Sequence, residues 1–361
     1  NSWGFDKASL EDRVEWTENN EDMIMRIGID PLESREWMDA DKPWQFLRSC
    51  FEYVCCNNNE DYVSHLPVTV DGSCNGLQHF SAMLRDDIGG AATNLINHEQ
   101  PEDIYEIVRR EAENGMVLDN NPEFNIWGSG GCLSRALVKR PVMTTPYGAT
   151  LYGMRDQIHE ELKKQLDKGV VFPGIDSSSD MWPHCKYLAF HIYEAIGRVV
   201  ISSRLGMKWL QDVAKASNKL KRPIYWTLPT GFVVKQKYIR SIVKEIKTII
   251  NGRMASLFAG SSDAEKMHSF RQVNGIAPNF VHSLDACHLM KTIVSARDNH
   301  GIESFAVVHD SFGTHACDIE QLGMVLRETF VDIYKEDILK KFMEEQGDLE
   351  LPSLPEYGKL N

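Results

Sequence analysis

Two aspartates, Asp71 and Asp310, each stand at the end of an apolar segment of the kind that forms a buried strand. A carboxylate in that position, next to the bare backbone of Gly72, offers the oxygen ligands that Mg²⁺ and other hard divalent ions prefer. Taken singly, each aspartate is better explained as a turn residue. Because 239 positions separate them, a shared metal site requires the fold to bring them together.

A second set of residues follows a four-residue spacing: Arg135, Lys139, Met143 and Tyr147, with Gly148 directly after. Steps of four advance about 40° around a helix, so these side chains form one slowly winding stripe. Two cations followed by an apolar residue and an aromatic ring suit a nucleoside triphosphate laid along the helix. An amphipathic helix with two surface cations is the simpler alternative, although the full spacing is more specific than the two cations alone.

Two prolines interrupt this stripe. Pro141 and Pro146 lie between Arg135 and Tyr147, and a proline inside a helix removes a hydrogen bond and bends the chain. We therefore expect the helix either to begin near Lys139, with Pro141 in its first turn, or to bend.

Net charge is −13, which by itself argues against a nucleic-acid partner. The charge is uneven, however. Residues 204–247 carry eleven Lys or Arg against two acids, whereas residues 1–63 carry six against fifteen and residues 318–361 five against eleven. Since salt screens charges over about 10 Å, a basic stretch on an acidic protein can still hold phosphate. A solvated basic helix and loop would explain the same pattern.

Apolar periodicity indicates a helix-rich α+β protein in which helices surround a small antiparallel sheet. Strands are predicted at residues 66–71, 224–236 and 304–314, and a hairpin around the Asn251–Gly252 turn signal. The strands carrying Asp71 and Asp310 are expected to share one sheet. The main helices are predicted at residues 10–27, 43–54, 76–84, 101–116, 134–147, 154–166, 186–204, 207–220, 276–299 and 319–345.

Composition limits the class of protein. The N-terminal segment shows no secretory signal, and no apolar run approaches the ~18 residues of a membrane helix. The eight cysteines form no CxxC pair, which argues against a disulfide framework and against a zinc site. Sparse cysteines of this kind fit a reducing cytosol. The lack of an initiator Met suggests that the chain begins inside a longer protein.

Three segments resemble a known family. DGSCNGLQHF from Asp71, KRPVMTTPYG from Lys139 and VHDSFGT from Val308 are similar to the A, B and C motifs of single-subunit RNA polymerases of bacteriophage and mitochondria. GIAPNFVHS, which ends at Ser283, also resembles that family. The motifs occur in family order, and the resemblance runs from about residue 5 to the end. The residues around motifs A and C resemble the bacteriophage branch of the family more than the mitochondrial branch.

The resemblance implies a two-metal nucleotidyl transfer. Asp71 and Asp310 would hold two Mg²⁺ ions, assisted by the Gly72 carbonyl. Lys139 would neutralise charge on the triphosphate and protonate the leaving pyrophosphate, and Arg135 would contact phosphate.

The remaining substrate contacts follow from the same resemblance. Tyr147 would close the nucleotide pocket and help to select ribose, with Met143 and Gly148 beside it. His282 would contact the 2′-OH.

RNA synthesis is favoured over DNA synthesis at two positions. Family A DNA polymerases, the nearest alternative, usually carry a Glu five residues after the first Asp, and Gly76 stands there in this chain. Ser311 follows Asp310 where DNA polymerases commonly have an acid. Two further alternatives are a truncated fragment that binds nucleic acid or nucleotide without robust activity, and an unrelated metal-dependent phosphatase.

The resemblance also implies an organisation. Residues 1–99 and 283–361 would form a right-hand polymerase palm and residues 100–282 helical fingers, with an N-terminal promoter- and RNA-binding domain and a thumb absent. A hairpin at about residues 236–266 would be the promoter-reading loop that enters the DNA major groove, with Lys244, Lys247 and Arg253 contacting DNA. Arg suits bidentate contact with guanine, whereas Lys suits phosphate equally well. An ordinary surface hairpin would explain the same segment. The expected partners are a DNA template, nascent RNA and ribonucleoside triphosphates, for a monomer in the cytoplasm of a phage-infected bacterium.

Overall fold

The structure is a computed structural model that describes residues 2–5, 8–97, 101–119, 121–128, 131–176 and 178–360. The chain divides into two compact units, residues 1–70 with 296–324 and residues 71–295 with 325–361. The predicted domain boundary between residues 99 and 100 lies outside the described residues, and the predicted three-part division stays a prediction.

Helices dominate the chain, as the sequence predicts. Between them, the described residues form short 3₁₀ turns and seven short or hairpin strands. The helices are α1 Leu10–Asn19, α2 Glu21–Ile29, α3 Pro43–Asn58, α4 Asn75–Met83, α5 Asp87–Ala92, α6 Ile104–Val117, α7 Phe124–Trp127, α8 Arg135–Thr144, α9 Leu151–Asp167, α10 Trp182–Val199, α11 Ile201–Lys219, α12 Ser269–His300, α13 Ile319–Ile333 and α14 Ile338–Glu345.

The strands form three small sheets. They are β1 Val68–Asp71, β2 Ile224–Thr227, β3 Val233–Gln236, β4 Ile239–Ile250, β5 Arg253–Met267, β6 Ala306–Val308 and β7 Ser311–Thr314. One sheet has the strand order β1-β7-β6, and the other two are the antiparallel pairs β2-β3 and β4-β5. The α+β class is therefore confirmed, as is the single sheet shared by the strands that carry Asp71 and Asp310.

The first unit contains an aromatic-rich core and most of the three-stranded sheet. Ile24, Ile27, Phe46 and Cys50 are buried between α2 and α3, and tryptophans pack around them. Strands β6 and β7 pair antiparallel through a two-residue turn, His309–Asp310. His309 has a φ of 54°, because tight hairpin turns require a positive φ.

The second unit has two cores. One is built by α6, α8, α9 and α10, whose buried apolar residues face each other. The other joins α4, α11, the β2 strand, α12 and α14 around fully buried aromatic side chains, among them Phe80, Trp226 and Phe280. None of the helices in the described part of the chain has the length and apolarity that a membrane crossing demands.

Helix α8 resolves the question raised by its prolines. It begins at Arg135 and contains Pro141 in its interior, so a start near Lys139 is wrong. It ends at Thr144 and continues as a 3₁₀ turn with Pro146 in its first turn. The Pro141 carbonyl accepts a hydrogen bond from the Thr145 hydroxyl at 2.9 Å, so side chains satisfy backbone groups at this end.

A buried histidine in α4 generates a stability prediction. His79 is fully buried, its Nδ1 is hydrogen-bonded to the Tyr334 hydroxyl, and burial lowers the pKa of His79 to about 3. The native state keeps this ring neutral, whereas the unfolded chain protonates it below a pH of about 6.5. The stabilisation that the neutral His79 ring gives to the folded state is therefore complete above pH 6.5 and is lost as the pH falls toward 3.

Between pH 6.5 and 5 we expect this residue to lower the free energy of unfolding by up to about 1.4 kcal/mol per pH unit. Urea denaturation of wild type and His79→Gln across this range measures it, because the Gln amide does not titrate. Equal pH slopes for the two proteins would contradict the assignment.

Candidate active site

A short turn connects the end of β1 to the start of α4. Asp71 ends the strand with its carboxylate exposed, and its Oδ1 accepts from the Gly72 backbone N–H at 3.1 Å. Cys74 adopts a left-handed conformation, with φ 63°, and is the N-cap residue of α4. Helix α4 therefore begins abruptly, with Asn75 and Gly76 buried in its first turn.

Gly76 touches the end of the 3₁₀ turn that follows α8. A Cβ at this position would lie 2.7 Å from Pro146 Cβ and 3.0 Å from Tyr147 Cζ. The first distance is shorter than real Cβ contacts and the second is tight, so even alanine would force Pro146 to shift and would press on the tyrosine ring. The absence of a side chain is thus needed for packing.

Tyr147 in turn stacks on His282, which the sequence places 135 residues later on α12. The ring centroids are 4.5 Å apart and the planes differ by 8°. Gly148 follows with a φ of 83°, a left-handed conformation that glycine adopts without strain. Gly76, Tyr147 and His282 consequently form one cluster, although the sequence predicts a role only for each residue separately.

The two cations of the α8 stripe share a platform. The Arg135 guanidinium lies 4.8 Å from the centroid of the Tyr105 ring, and the Lys139 ammonium lies 5.9 Å from it. Arg135 also pairs with Asp103 at 2.5 Å, and Asp103 caps the N-terminus of α6. Burial raises the pKa of the Tyr105 hydroxyl, which stays neutral.

The two middle residues of the α8 stripe, Lys139 and Met143, face solvent. Lys139 and Met143 are exposed, whereas Leu137, Val138 and Val142 on the other side of α8 are buried. In the described part of the chain no carboxylate pairs with Lys139, in contrast to Arg135. Lys139 is therefore positioned to meet an anion directly, while Arg135 must share its charge with Asp103.

Asp310 belongs to the first unit and Asp71 to the second. It lies in the β6–β7 turn, partly exposed, directly before Ser311, the first residue of β7. Strand β7 lies between β1 and β6 in the sheet.

The long β4–β5 hairpin carries the predicted DNA contacts. Its turn is Asn251–Gly252, and both residues have positive φ, 52° and 76°, which confirms the hairpin. Cross-strand pairing and the two-residue alternation of strands put Lys244 and Arg253 on one face and Lys247 on the other. The three cations do not form a single surface.

Several neighbours of the predicted residues were missed at the sequence level. Tyr105 and Asp103 precede the stripe by about 30 residues and follow no spacing that links them to it. Asn75 donates from Nδ2 to Asp285 Oδ1 at 2.9 Å, although 210 residues separate them. Asp285 lies three residues after His282, a helical spacing that gave the only available signal.

Comparison with known proteins finds relatives along nearly the whole chain. Residues 1–350 match the family model described as DNA-dependent RNA polymerase. The chain is 35% identical to T7 RNA polymerase of Escherichia phage T7 over its whole length and covers 46% of that protein. It is 34% identical to the DNA-directed RNA polymerase of Enterobacteria phage T3, again over its whole length and 46% of the relative.

A plant organellar protein is equally similar. DNA-directed RNA polymerase 2B, chloroplastic/mitochondrial, of Nicotiana tabacum is 37% identical over 98% of this chain and 35% of its own length. The chain belongs to the DNA-dependent RNA polymerase family. It spans less than half the length of these relatives.

The close contact at Gly76 yields a prediction. Gly76→Ala should lower the free energy of unfolding by about 1–3 kcal/mol, because the new methyl group overpacks against Pro146 and Tyr147. Urea denaturation measures the change. Gly153→Ala in α9 is the matched control, since its Cβ would meet Thr150 Oγ1 at an ordinary 3.6 Å. Equal free energies of unfolding for the two variants would show that position 76 accommodates a methyl group without a clash.

Proposed function

We propose that this chain is the catalytic part of a single-subunit polymerase that copies a DNA template into RNA. The observation that carries the proposal is the Gly76–Tyr147–His282 cluster in a chain of the DNA-dependent RNA polymerase family. Family A DNA polymerases, the alternative, usually carry a Glu at this position, whereas here even a Cβ would lie 2.7 Å from Pro146 Cβ. The proposal therefore commits to ribonucleotides.

The two aspartates are the proposed metal ligands. Family membership implies a divalent metal ion, and Asp71, Asp310 and the Gly72 carbonyl provide only oxygen donors, the set that suits Mg²⁺. The neighbouring positions of β1 and β7 in one sheet support a shared site. A pair of Mg²⁺ ions held there would supply Lewis acidity to the attacking 3′-OH and to the leaving pyrophosphate.

The side chains of the second unit take the remaining roles. Lys139, exposed and without a carboxylate partner among the described residues, neutralises the triphosphate and donates a proton to the leaving pyrophosphate. Arg135 binds phosphate while Asp103 and Tyr105 hold its guanidinium. Tyr147 covers the nucleotide, with Met143 and Gly148 at the edges of the pocket.

Ribose recognition falls to the stacked pair. His282 is exposed and lies flat against Tyr147, and the stack fixes the plane of the ring that is proposed to contact a ribose 2′-OH. A deoxyribonucleotide would leave that contact unmade. Discrimination by a hydrogen bond of this kind is strong because the unmatched polar group loses its partner.

In architectural terms, the shared sheet is the proposed palm, and the helices α6 to α11 belong to the proposed fingers, in a monomer. The acting protein is proposed to be phage-encoded and to work in the cytoplasm of an infected bacterium. The amino-acid sequence around motifs A and C supports the phage origin, whereas overall sequence identity is similar for the phage and plant organellar relatives.

The aspartates generate the central prediction. Asp71→Asn or Asp310→Asn should lower primed RNA synthesis by about 100-fold or more with little change in stability, because a neutral amide is a poor ligand for Mg²⁺. Primer extension on a DNA template with Mg²⁺ measures it. Asp61→Asn, at an exposed aspartate outside the motifs, is the control. Unimpaired extension by either variant, or preference of wild type for dNTPs, would refute the proposal.

The β4–β5 hairpin is proposed to contact promoter DNA, because a two-stranded ribbon fits the major groove. Arg253, next to the turn, is the proposed base-reading residue, and Lys247, on the other face, is its matched control. Arg253→Ala should change the ranking of DNA templates from which the full-length gene product initiates. Lys247→Ala should leave that ranking intact. Competition between templates in run-off transcription measures both, and an unaltered ranking for Arg253→Ala would remove the base-reading role.

A further inference from the structure

A buried polar link joins the start of α4 to the middle of α12. Asn75 and Asp285 are only 8% and 5% exposed, and the Asn75 amide donates to the Asp285 carboxylate at 2.9 Å. Neither residue is among those to which a catalytic or binding role is assigned above. A buried carboxylate requires hydrogen-bond donors, so this contact holds the two helices at a fixed separation.

The link lies beside the stacked rings on both helices. Asn75 directly precedes Gly76, whose backbone abuts Tyr147. Asp285 lies three residues, or about one helical turn, after His282. Contacts therefore run in a closed circuit: Asn75 to Asp285, along α12 to His282, across the stack to Tyr147, and back through Gly76 to Asn75.

Stability alone does not explain the choice of Asn. Its Oδ1 is buried and has no hydrogen-bond partner among the described residues, and an unmet buried acceptor is unfavourable. A residue selected only to fill this space would avoid that cost. The amide donor is the feature that the position exploits.

We propose that Asn75 and Asp285 are positioning residues that hold the His282 turn of α12 at the distance where its ring stacks on Tyr147, and that they thereby set the preference for ribonucleotides. This inference rests on the proposed function of the Tyr147–His282 pair. Neither residue touches the nucleotide. Without the link, the His282 turn shifts, the stack loosens, and the ribose hydroxyl loses a fixed partner.

The test compares kcat/KM for ATP and dATP on a primed DNA template, using the full-length gene product. Asn75→Leu and Asp285→Leu remove the donor and the acceptor at similar volume. Each should lower the ATP-to-dATP ratio about ten-fold, and the double variant should lose no more than either single one, because both break one link. Asp285→Asn retains an acceptor and should keep most of the ratio. If the Leu variants do not fold, Asn75→Ser removes the amide at smaller volume and carries the same expectation.

The control lies on the same helix. Thr292 and Thr329 share a buried hydrogen bond of 2.8 Å, and Thr292→Val disturbs the packing of α12 without touching the circuit. It should leave the ratio unchanged. An unaltered ratio in the Asn75 and Asp285 variants, additive losses in the double variant, or an equal loss in Thr292→Val would each overturn the inference. Failure of wild type to extend the primer with any nucleotide would instead overturn the proposed function.

Discussion

The contact that the rest of the site depends on is the approach of Gly76 to Pro146 and Tyr147. With no room for a Cβ, α4 and the end of the α8 segment come together backbone against ring. This closeness fixes the tyrosine in the plane where it can stack on His282. A larger residue at position 76 would separate the two segments and disassemble the cluster, so one missing side chain determines the packing.

The same turn organises its surroundings through its neighbours. The left-handed conformation of Cys74 starts α4 four residues after Asp71, so that Asp71 and Gly76 lie on one short segment. Cys74 is hydrogen-bonded to the Tyr105 hydroxyl, and the Tyr105 ring underlies Arg135 and Lys139. Because the flanking residues Cys74, Asn75 and Gly76 each engage a different partner, a shift of this turn would disturb cations, helix α12 and tyrosine together.

Electrostatics separates two kinds of cation. Arg135 is paired with Asp103, which also caps α6, so its charge is partly offset and its orientation is fixed. Lys139 lies one turn along α8 and is exposed. The Tyr105 ring therefore lies under an oriented guanidinium and under an ammonium that has no carboxylate partner among the described residues, which concentrates positive charge on one ring. The acidic net charge of the chain does not oppose this, since short-range pairs dominate within a Debye length.

The sequence by itself determined the helix-rich α+β class, the hairpin turn at Asn251–Gly252, and the membership of Asp71, Lys139, Tyr147 and Asp310 in recognisable motifs, because periodicity, turn chemistry and motif spacing are local properties. Only the tertiary structure decided that α8 begins at Arg135 despite Pro141, since burial of Leu137 and Val138 outweighs a lost hydrogen bond. Contacts across more than a hundred residues, such as Asn75 with Asp285 and Tyr147 with His282, leave no periodic trace. These contacts depend on how the helices pack against each other in the tertiary structure, and residue spacing along the sequence does not predict that packing.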